Sequence, residues 1–203
     1  MYLFGGSGHC KVIVDIIKKS NDFVIKGIFD DNPKFDRIYD IPVLKTESLD
    51  FFKDKDVIIA IGNNEIRKKI SEKIDAKYLK AIHPSVIISM DVKISEGTVV
   101  MAGAILNASV NVGKHCVINT AAVIDHDCTI TDFAHISPNA ALAGNVIVGE
   151  GSQIGIGATV IQGVKIGKWA IVGAGAVIIE DVPDYAVVVG NPGKIIKYSR
   201  TNE

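Results

Sequence analysis

Cysteine is scarce. Only Cys10, Cys116 and Cys128 occur in 203 residues, none of them in a Cys-x-x-Cys pair. That argues against a disulfide scaffold or a thiolate metal knuckle and for a reduced, cytoplasmic protein. An excess of either charge is also lacking: 22 Lys and Arg stand against 23 Asp and Glu, a net charge of −1, so neither a nucleic-acid partner nor a membrane surface is expected. No apolar run is long enough for a membrane-spanning helix. The opening Met1-Tyr2-Leu3-Phe4-Gly5-Gly6 has no basic region and no long apolar core, so no secretion signal is expected there. Gly/Ser linkers and low-complexity tracts are missing as well.

What the chain has in quantity is a period of six. Every sixth residue from Ile82 to Ile178 is aliphatic, beginning Ile82, Ile88, Ile94, Val100, Leu106, Val112 and ending Ile166, Val172, Ile178. The fourth residue after each is small or modest, as in Ala104, Cys116, Ala122, Cys128, Ala134 and Ser152. Neither a helix, with its period of 3.6, nor an ordinary strand, with its period of two, requires six. A flat-sided solenoid does, because each six-residue rung is a short strand plus a corner. One large and one small inward position per rung fill a narrow prism. The pattern predicts a left-handed parallel β-helix over residues 81–183, smooth because no insertion breaks the count, followed by a C-terminal tail over 184–203. Cys116 and Cys128 fall in the small slot and read as packing residues. Flat faces are natural packing surfaces, so a homo-oligomer is expected.

Residues 1–80 follow other rules. Tyr2-Leu3-Phe4 is a short apolar run ending in Gly5-Gly6-Ser7-Gly8-His9, and Val12, Ile13, Ile16 and Ile17 after it share one helical face. A strand is expected over Val24–Phe29, closed by Asp30 and Asp31. A buried strand over Asp56–Ile61 ends at Gly62-Asn63-Asn64, and a helix over Glu65–Ile74 is capped by Asn63 or Asn64. Strand, glycine turn, helix, strand and acid make the βαβ arrangement of a small Rossmann-like domain. Glycines let the backbone approach a phosphate at the helix start, and the acid can accept a ribose hydroxyl. The third fingerprint glycine is replaced by Lys11, which argues against a nicotinamide dinucleotide and leaves another nucleotide or a ligand-free turn. Pro84 marks the entry to the solenoid.

Chemistry on a β-helix has to come from residues outside the buried slots, in grooves between neighbouring prisms. Of five histidines, His126 stands out in Asp125-His126-Asp127. A carboxylate bonded to one imidazole nitrogen fixes the tautomer and favours proton uptake at the other, which makes a general base; a solvated polar corner is the alternative. His9 lies in the glycine turn, His83 at the junction before Pro84, and His115 at a corner of the Val112 rung.

Several segments together carry a resemblance. They are Asn119 to Cys128, Phe133-Ala134-His135-Ile136-Ser137-Pro138, Gly6-Ser7-Gly8-His9, Phe29-Asp30-Asp31, Ala60 to Arg67, and Val189-Gly190-Asn191-Pro192-Gly193-Lys194. As a set ordered along the chain they resemble the hexapeptide-repeat sugar acetyltransferases of the sialic acid O-acetyltransferase-like group. The UDP-4-amino-sugar N-acetyltransferases of bacillosamine synthesis are the nearest match. The resemblance implies a homotrimer that transfers acetyl from acetyl-CoA, without a metal, to the amine of a nucleotide-linked, UDP-type 4-amino-4,6-dideoxy sugar. It implies His126 as general base and Asp127 as the acid that raises its basicity, in place of the glutamate common in the bacillosamine enzymes. It further implies His135, Gly144, Ile156 and Ala174 as acetyl-CoA contacts, with Gly144 offering a backbone N–H to the oxyanion. Ser7, Gly8, His9, Asp30, Asp31, Gly62 and Asn63 would surround the nucleotide sugar.

Three rival readings use the same residues. O-acetylation of sialic acid or another hydroxyl sugar would employ the same base. A zinc hydratase on the same prism, as in the gamma carbonic anhydrases, needs three imidazoles on facing edges; the family's histidine pair five apart is absent, since His126 and His135 are nine apart. A non-enzymatic scaffold would have no use for an attached nucleotide domain.

Overall fold

A computed structural model describes residues 1–199. The first domain is a six-stranded sheet in the order β3-β4-β2-β1-β5-β6. Its strands are β1 (Tyr2–Phe4), β2 (Gly27–Asp30), β3 (Arg37–Ile38), β4 (Ile41–Lys45), β5 (Asp56–Ile59) and β6 (Lys77–Tyr78). β1 lies at the centre, parallel to both β2 and β5, as the βαβ reading requires. The helix α1 (Gly8–Ser20) buries Cys10, Ile13, Val14, Ile16 and Ile17 along one stripe and stops at Asn21, whose φ of 58° is the left-handed conformation that ends helices. The strand expected from Val24 begins only at Gly27, because the ladder with β1 starts at Tyr2↔Gly27 and Val24 faces solvent at 78% exposure. Helix α2 (Asn64–Ser71) is capped by Asn63, whose Oδ1 accepts the Ile66 N–H at 2.9 Å. It ends before Ile74 because Lys73 and Ile74 both donate to the Ile70 carbonyl, closing the last turn on itself. No helix of the described residues is long and apolar enough to cross a membrane.

From Ala81 the chain winds as a left-handed parallel β-helix. Seventeen two-residue strands, β7 (Ala81–Ile82) through β23 (Val177–Ile178), alternate with corners. Partners lie one turn apart, as in Val99↔Val117, Val123↔Ala141 and Thr129↔Ile147. The second residue of each strand points inward, and from Val100 onward it is at most 2% exposed. The first turn differs: Ile88 is 38% exposed and Ile82, Val86, Val92 and Ile94 are only partly covered, since no rung lies beneath them. Many corners hold a non-glycine residue at positive φ, among them His115, Ala121, Asp127, Phe133, Asn139 and Trp169. Each carries some backbone strain, borne because the ladder bonds on both sides fix the corner. After Ile178 the count shortens by two, and Ile166 bridges Val182 while Val172 pairs Val188. The segment expected as a tail then forms an antiparallel hairpin, β24 (Ala186–Val189) and β25 (Lys194–Tyr198), that extends one face of the prism; residues 200–203 lie outside the described residues.

The outward residues distinguish three faces. On the first, Ala81, Val99 and Val117 are buried under the N-terminal domain in one apolar cluster with Leu3, Ile13 and Ile17; higher up come His135, Gln153 and Ile171. The second carries Ile87, Ile105, Val123, Ala141, Thr159 and Val177. The third carries Lys93, Asn111, Thr129, Ile147 and Lys165.

Candidate active site

His126 sits on the corner between the second and third faces, just after the strand Val123–Ile124. The corner needs a left-handed residue, and Asp127 takes it with φ 59°. That conformation turns the Asp127 carboxylate back on its neighbour, so Oδ2 lies 2.7 Å from His126 Nδ1. Asp125 does a different job. Its Oδ1 accepts the His126 backbone N–H and the Asn107 side-chain amide, both at 2.8 Å. Asp127 therefore orients the ring and Asp125 braces the loop. The bond to Asp127, assisted by the charge of Asp125, raises the His126 pKa above its ordinary 6.5. Nε2 is left as the outward nitrogen of an exposed ring.

Gly144 lies one turn above His126. A Cβ there would meet His126 Cε1 at 2.6 Å and Nε2 at 2.7 Å. The imidazole thus lies flat against the Gly144 backbone, and only glycine leaves room for it. Ile156 and Ala174 occupy the opposite edge of the second face, one above the other, with the Gly175 N–H donating to the Ile156 carbonyl at 2.8 Å. Both are exposed, Ile156 by 59%. Hence the second face is bounded on one side by His126 and Gly144 and on the other by Ile156 and Ala174.

His135 stands apart from this group. It projects from the first face toward the N-terminal domain, where burial, then Arg67 and His9, push its pKa down to about 4. Thr120 N–H donates to Asn119 Oδ1, so the Asn119 amide NH2 faces His135 Nε2 at 2.9 Å. The proton of neutral His135 is then on Nδ1, toward the Gly62 backbone. His9 lies against Gly62, whose Cβ position would be 3.8 Å from the His9 ring. Its Nε2 is buried with no hydrogen-bond partner among the described residues, and burial followed by the charge of Arg67 lowers its pKa to about 4. His9, Gly62 and His135 therefore form a second cluster at the domain junction.

The remaining residues expected around a nucleotide sugar lie at one end of the sheet. Ser7 is the N-cap of α1 and makes no side-chain cap bond. Gly8 opens the helix. Asp30 spends both oxygens within the fold: Oδ2 accepts the Gly6 N–H at 2.6 Å and Oδ1 the Asn32 N–H at 2.8 Å. It braces the glycine turn, and exposed Asp31 is the freer acceptor. Asn63 spends its Oδ1 on the α2 cap, which leaves its amide NH2 for a ligand.

Sequence reasoning gave no site role to Arg67 or Asn119, and took Asn64 only as an alternative cap of the second helix. Arg67 is 1% exposed, between the loop before α2 and the coil. The available signal was position: Arg67 lies three residues before Ile70 and so on the buried stripe of α2, while Ile66, the more obvious core residue, is 49% exposed. His115, placed at a corner, is there but buried to 4% exposure, stacked on Phe133 with ring centroids 5.3 Å apart beneath the docked domain.

Comparison with known proteins agrees with this architecture. The family described as the PglD N-terminal domain matches residues 1–74, and the bacterial transferase hexapeptide family (six repeats) matches residues 145–180. UDP-N-acetylbacillosamine N-acetyltransferase of Bacillus subtilis (strain 168) is 40% identical over 108 residues, which span 49% of this chain and 50%, about half, of that protein's length. The crystal structure of PerB from Caulobacter crescentus, in complex with CoA and GDP-perosamine, superposes with a TM-score of 0.91 at 37% identity, over 97% of this chain and 96% of that one. The acetyltransferase domain of PglB from Neisseria gonorrhoeae FA1090, in complex with acetyl coenzyme A, gives 0.86 at 36% identity, over 96% and 98%. With this identity across nearly its whole length, the chain belongs to the hexapeptide-repeat sugar acetyltransferases that carry a PglD-type N-terminal domain.

Proposed function

We propose that the protein transfers the acetyl group of acetyl-CoA to the amine of a nucleotide-linked 4-amino-4,6-dideoxy sugar, with His126 as general base. The observation that carries this reading is the exposed imidazole at the edge of the second face, oriented by Asp127 and laid against Gly144. The amine lone pair attacks the thioester carbonyl carbon and His126 Nε2 takes the amine proton. The tetrahedral intermediate collapses with cleavage of the C–S bond, and the CoA thiolate leaves and is protonated. No covalent enzyme intermediate is needed, because the thioester is already activated. General-base assistance of this kind contributes roughly 10²–10⁴-fold.

The two clusters divide the substrates. Ser7, Gly8, His9, Asp31, Gly62 and Asn63 surround the nucleotide sugar, with Asp30 holding the glycine turn in shape. The orphaned Nε2 of His9 supports this, since an unpaired buried nitrogen is costly until a ligand group bonds it. Gly144, Ile156 and Ala174 line the acetyl-CoA side. His135 stands between them: with its nitrogens held by Asn119 and Gly62, it packs beside acetyl-CoA on the first face of one copy, where His126 of a neighbouring copy meets it. The site is then shared between subunits of a cytoplasmic homotrimer. The Bacillus relative is named for a UDP-sugar and the Caulobacter structure holds a GDP-sugar; the proposed nucleotide is UDP. A thiol-release assay with acetyl-CoA against UDP-, GDP- and dTDP-linked amino sugars and free sialic acid tests it. Turnover fastest with a UDP-linked 4-amino sugar supports the proposal, and turnover only with a hydroxyl acceptor replaces it with O-acetylation.

A further inference from the structure

Arg67 has an unusual set of partners. Its Nε donates to the His115 carbonyl at 2.7 Å, Nη1 to the carbonyls of Ile61 and Gly62 at 3.0 and 3.1 Å, and Nη2 to Asn64 Oδ1 at 2.9 Å and the Phe133 carbonyl at 2.8 Å. All five acceptors are uncharged, and no carboxylate lies within ion-pair distance among the described residues. A buried guanidinium normally has a carboxylate, because desolvating a lone cation is expensive. Here its planar fork spans two parts of the molecule. Ile61, Gly62 and Asn64 belong to the loop and helix start after β5, while His115 and Phe133 are corners one turn apart on one edge of the coil. Asn64 closes the circuit by donating from Nδ2 to the Gly151 carbonyl at 2.9 Å, on the next corner. Three corners stacked along one edge are thus tied to one loop, and that loop carries Gly62 and Asn63.

We propose that Arg67 is a positioning residue for the acceptor substrate: it fixes the Gly62–Asn63 loop against the coil, and so sets the register between the nucleotide-sugar pocket and the coil-borne acetyl-transfer machinery. The inference rests on the acetyl-transfer reading for its substrate and on the hydrogen-bond geometry for its mechanism. A lysine keeps the charge but cannot reproduce the planar fork, so it can satisfy only part of this set. Misplacement of a bound reactant by about 1 Å is enough to cost about 100-fold in rate.

The test compares wild type with Arg67→Lys and Arg67→Met in steady-state kinetics, varying acetyl-CoA and the acceptor separately. It also follows hydrogen exchange over residues 60–66. Arg67→Met should lower kcat/KM for the acceptor by at least 10-fold and Arg67→Lys by less, while KM for acetyl-CoA stays within about twofold. Exchange should quicken in the loop while the coil rungs above Val148 keep their protection. Equal losses toward both substrates, in proportion to the folded fraction, would mean a merely structural residue and overturn the proposal. Should both variants fail to fold, Asn64→Ala, which removes one of the fork's acceptors and the tie to Gly151, is read the same way. If wild type transfers acetyl to no acceptor in the panel, the acetyl-transfer reading fails by itself. The Arg67 inference is then decided by exchange alone, and unchanged loop exchange in Arg67→Lys refutes it.

Discussion

Gly144→Ala is a one-carbon change with a calculable consequence. The new methyl would stand 2.6 Å from His126 Cε1, 2.7 Å from Nε2 and 3.2 Å from Nδ1. Carbon contacts settle near 3.5–4.0 Å, so the ring must retreat by roughly 1 Å. The ring is half exposed, so it can swing outward at little cost to the fold, and Gly144 does not sit at positive φ, so alanine adds no backbone strain. Stability should change by less than about 1 kcal/mol. Swinging outward, however, breaks the 2.7 Å contact with Asp127 and moves Nε2 away from the acceptor. A displacement of that size costs about 100-fold in kcat, within the range of lost general-base help. The Gly144 N–H survives the substitution, so the loss reports the imidazole rather than an oxyanion donor. Thermal unfolding and thiol-release kinetics on the same preparation decide the matter. Turnover within about twofold of wild type would show that this imidazole does not need its seat against Gly144, and would refute the assignment of His126 as base.

His126→Ala should lower kcat by roughly 10²–10⁴-fold while acetyl-CoA affinity by calorimetry changes little; near-normal turnover refutes the mechanism. Because the base must be neutral and its pKa lies above 6.5, wild-type kcat/KM should climb with pH through a value above 6.5. Asp127→Asn removes the main cause of the elevation, so its profile should shift to lower pH at a reduced plateau, and an unmoved profile counts against the pair. His9, His115 and His135 all have pKa values lowered from 6.5 to about 4. The unfolded chain therefore takes up their protons first as pH falls below 6.5. Stability is fully present above that value and should drop toward pH 4, by roughly 1–2 kcal/mol per histidine at pH 5; urea midpoints that are flat from pH 7 to 5 would refute it. Gly151→Ala is the mirror image of Gly144→Ala: φ is +67° and the methyl would lie 2.4 Å from the Trp169 ring. It should cost about 1–3 kcal/mol of stability, read from thermal unfolding, where Gly144→Ala costs little.

The coil was legible because its core repeats. A residue that must point inward every six positions leaves a record that no other fold writes, and the record ran true from Val100 to Ile178. From Ile82 to Ile94 the strands form and Ile82 and Ile94 pack against the core, but their cover is partial because a first turn has no neighbour beneath, which a pattern of identities cannot express. The Asp125-His126-Asp127 corner was visible as chemistry and the resemblance pointed to Asp127, but the residues alone did not say which aspartate turns to the ring. It depends on the left-handed φ of Asp127, and aspartate is one of the few residues that accept that conformation readily. Asp30 and Asp31 looked equivalent in sequence, yet the Gly6 N–H claims the first. Arg67 was the least legible. A basic residue in a short amphipathic helix reads as solvent-facing, and the carbonyls that hold it lie 48 and 66 residues away at coil corners.

The division of the candidate site into two clusters makes a prediction about the second face. Its outward residues Ile105, Val123, Ala141 and Val177 carry no charge, whereas the third face shows Lys93 and Lys165 at the same outward positions. The N-terminal domain covers the lower first face. His126 and Gly144 border the second face on one side, Ile156 and Ala174 on the other, so a copy packed there would bring its own His135 cluster to His126. Replacing Ala141 with Glu puts a carboxylate on the middle of that face. Its side chain points away from the coil, next to Val123 and Thr159 in the ladder, so the prism should keep its fold and its circular dichroism. Buried in a subunit boundary, however, an unpaired carboxylate would cost several kcal/mol at each copy, enough to dissociate the assembly at micromolar concentration. Light scattering should then report a monomer, and acetyl transfer should fall with it even though every residue of both clusters is intact in each chain. An Ala141→Glu protein that remains an oligomer and keeps its turnover would place the subunit boundary on another face and separate His126 from the junction histidines for good.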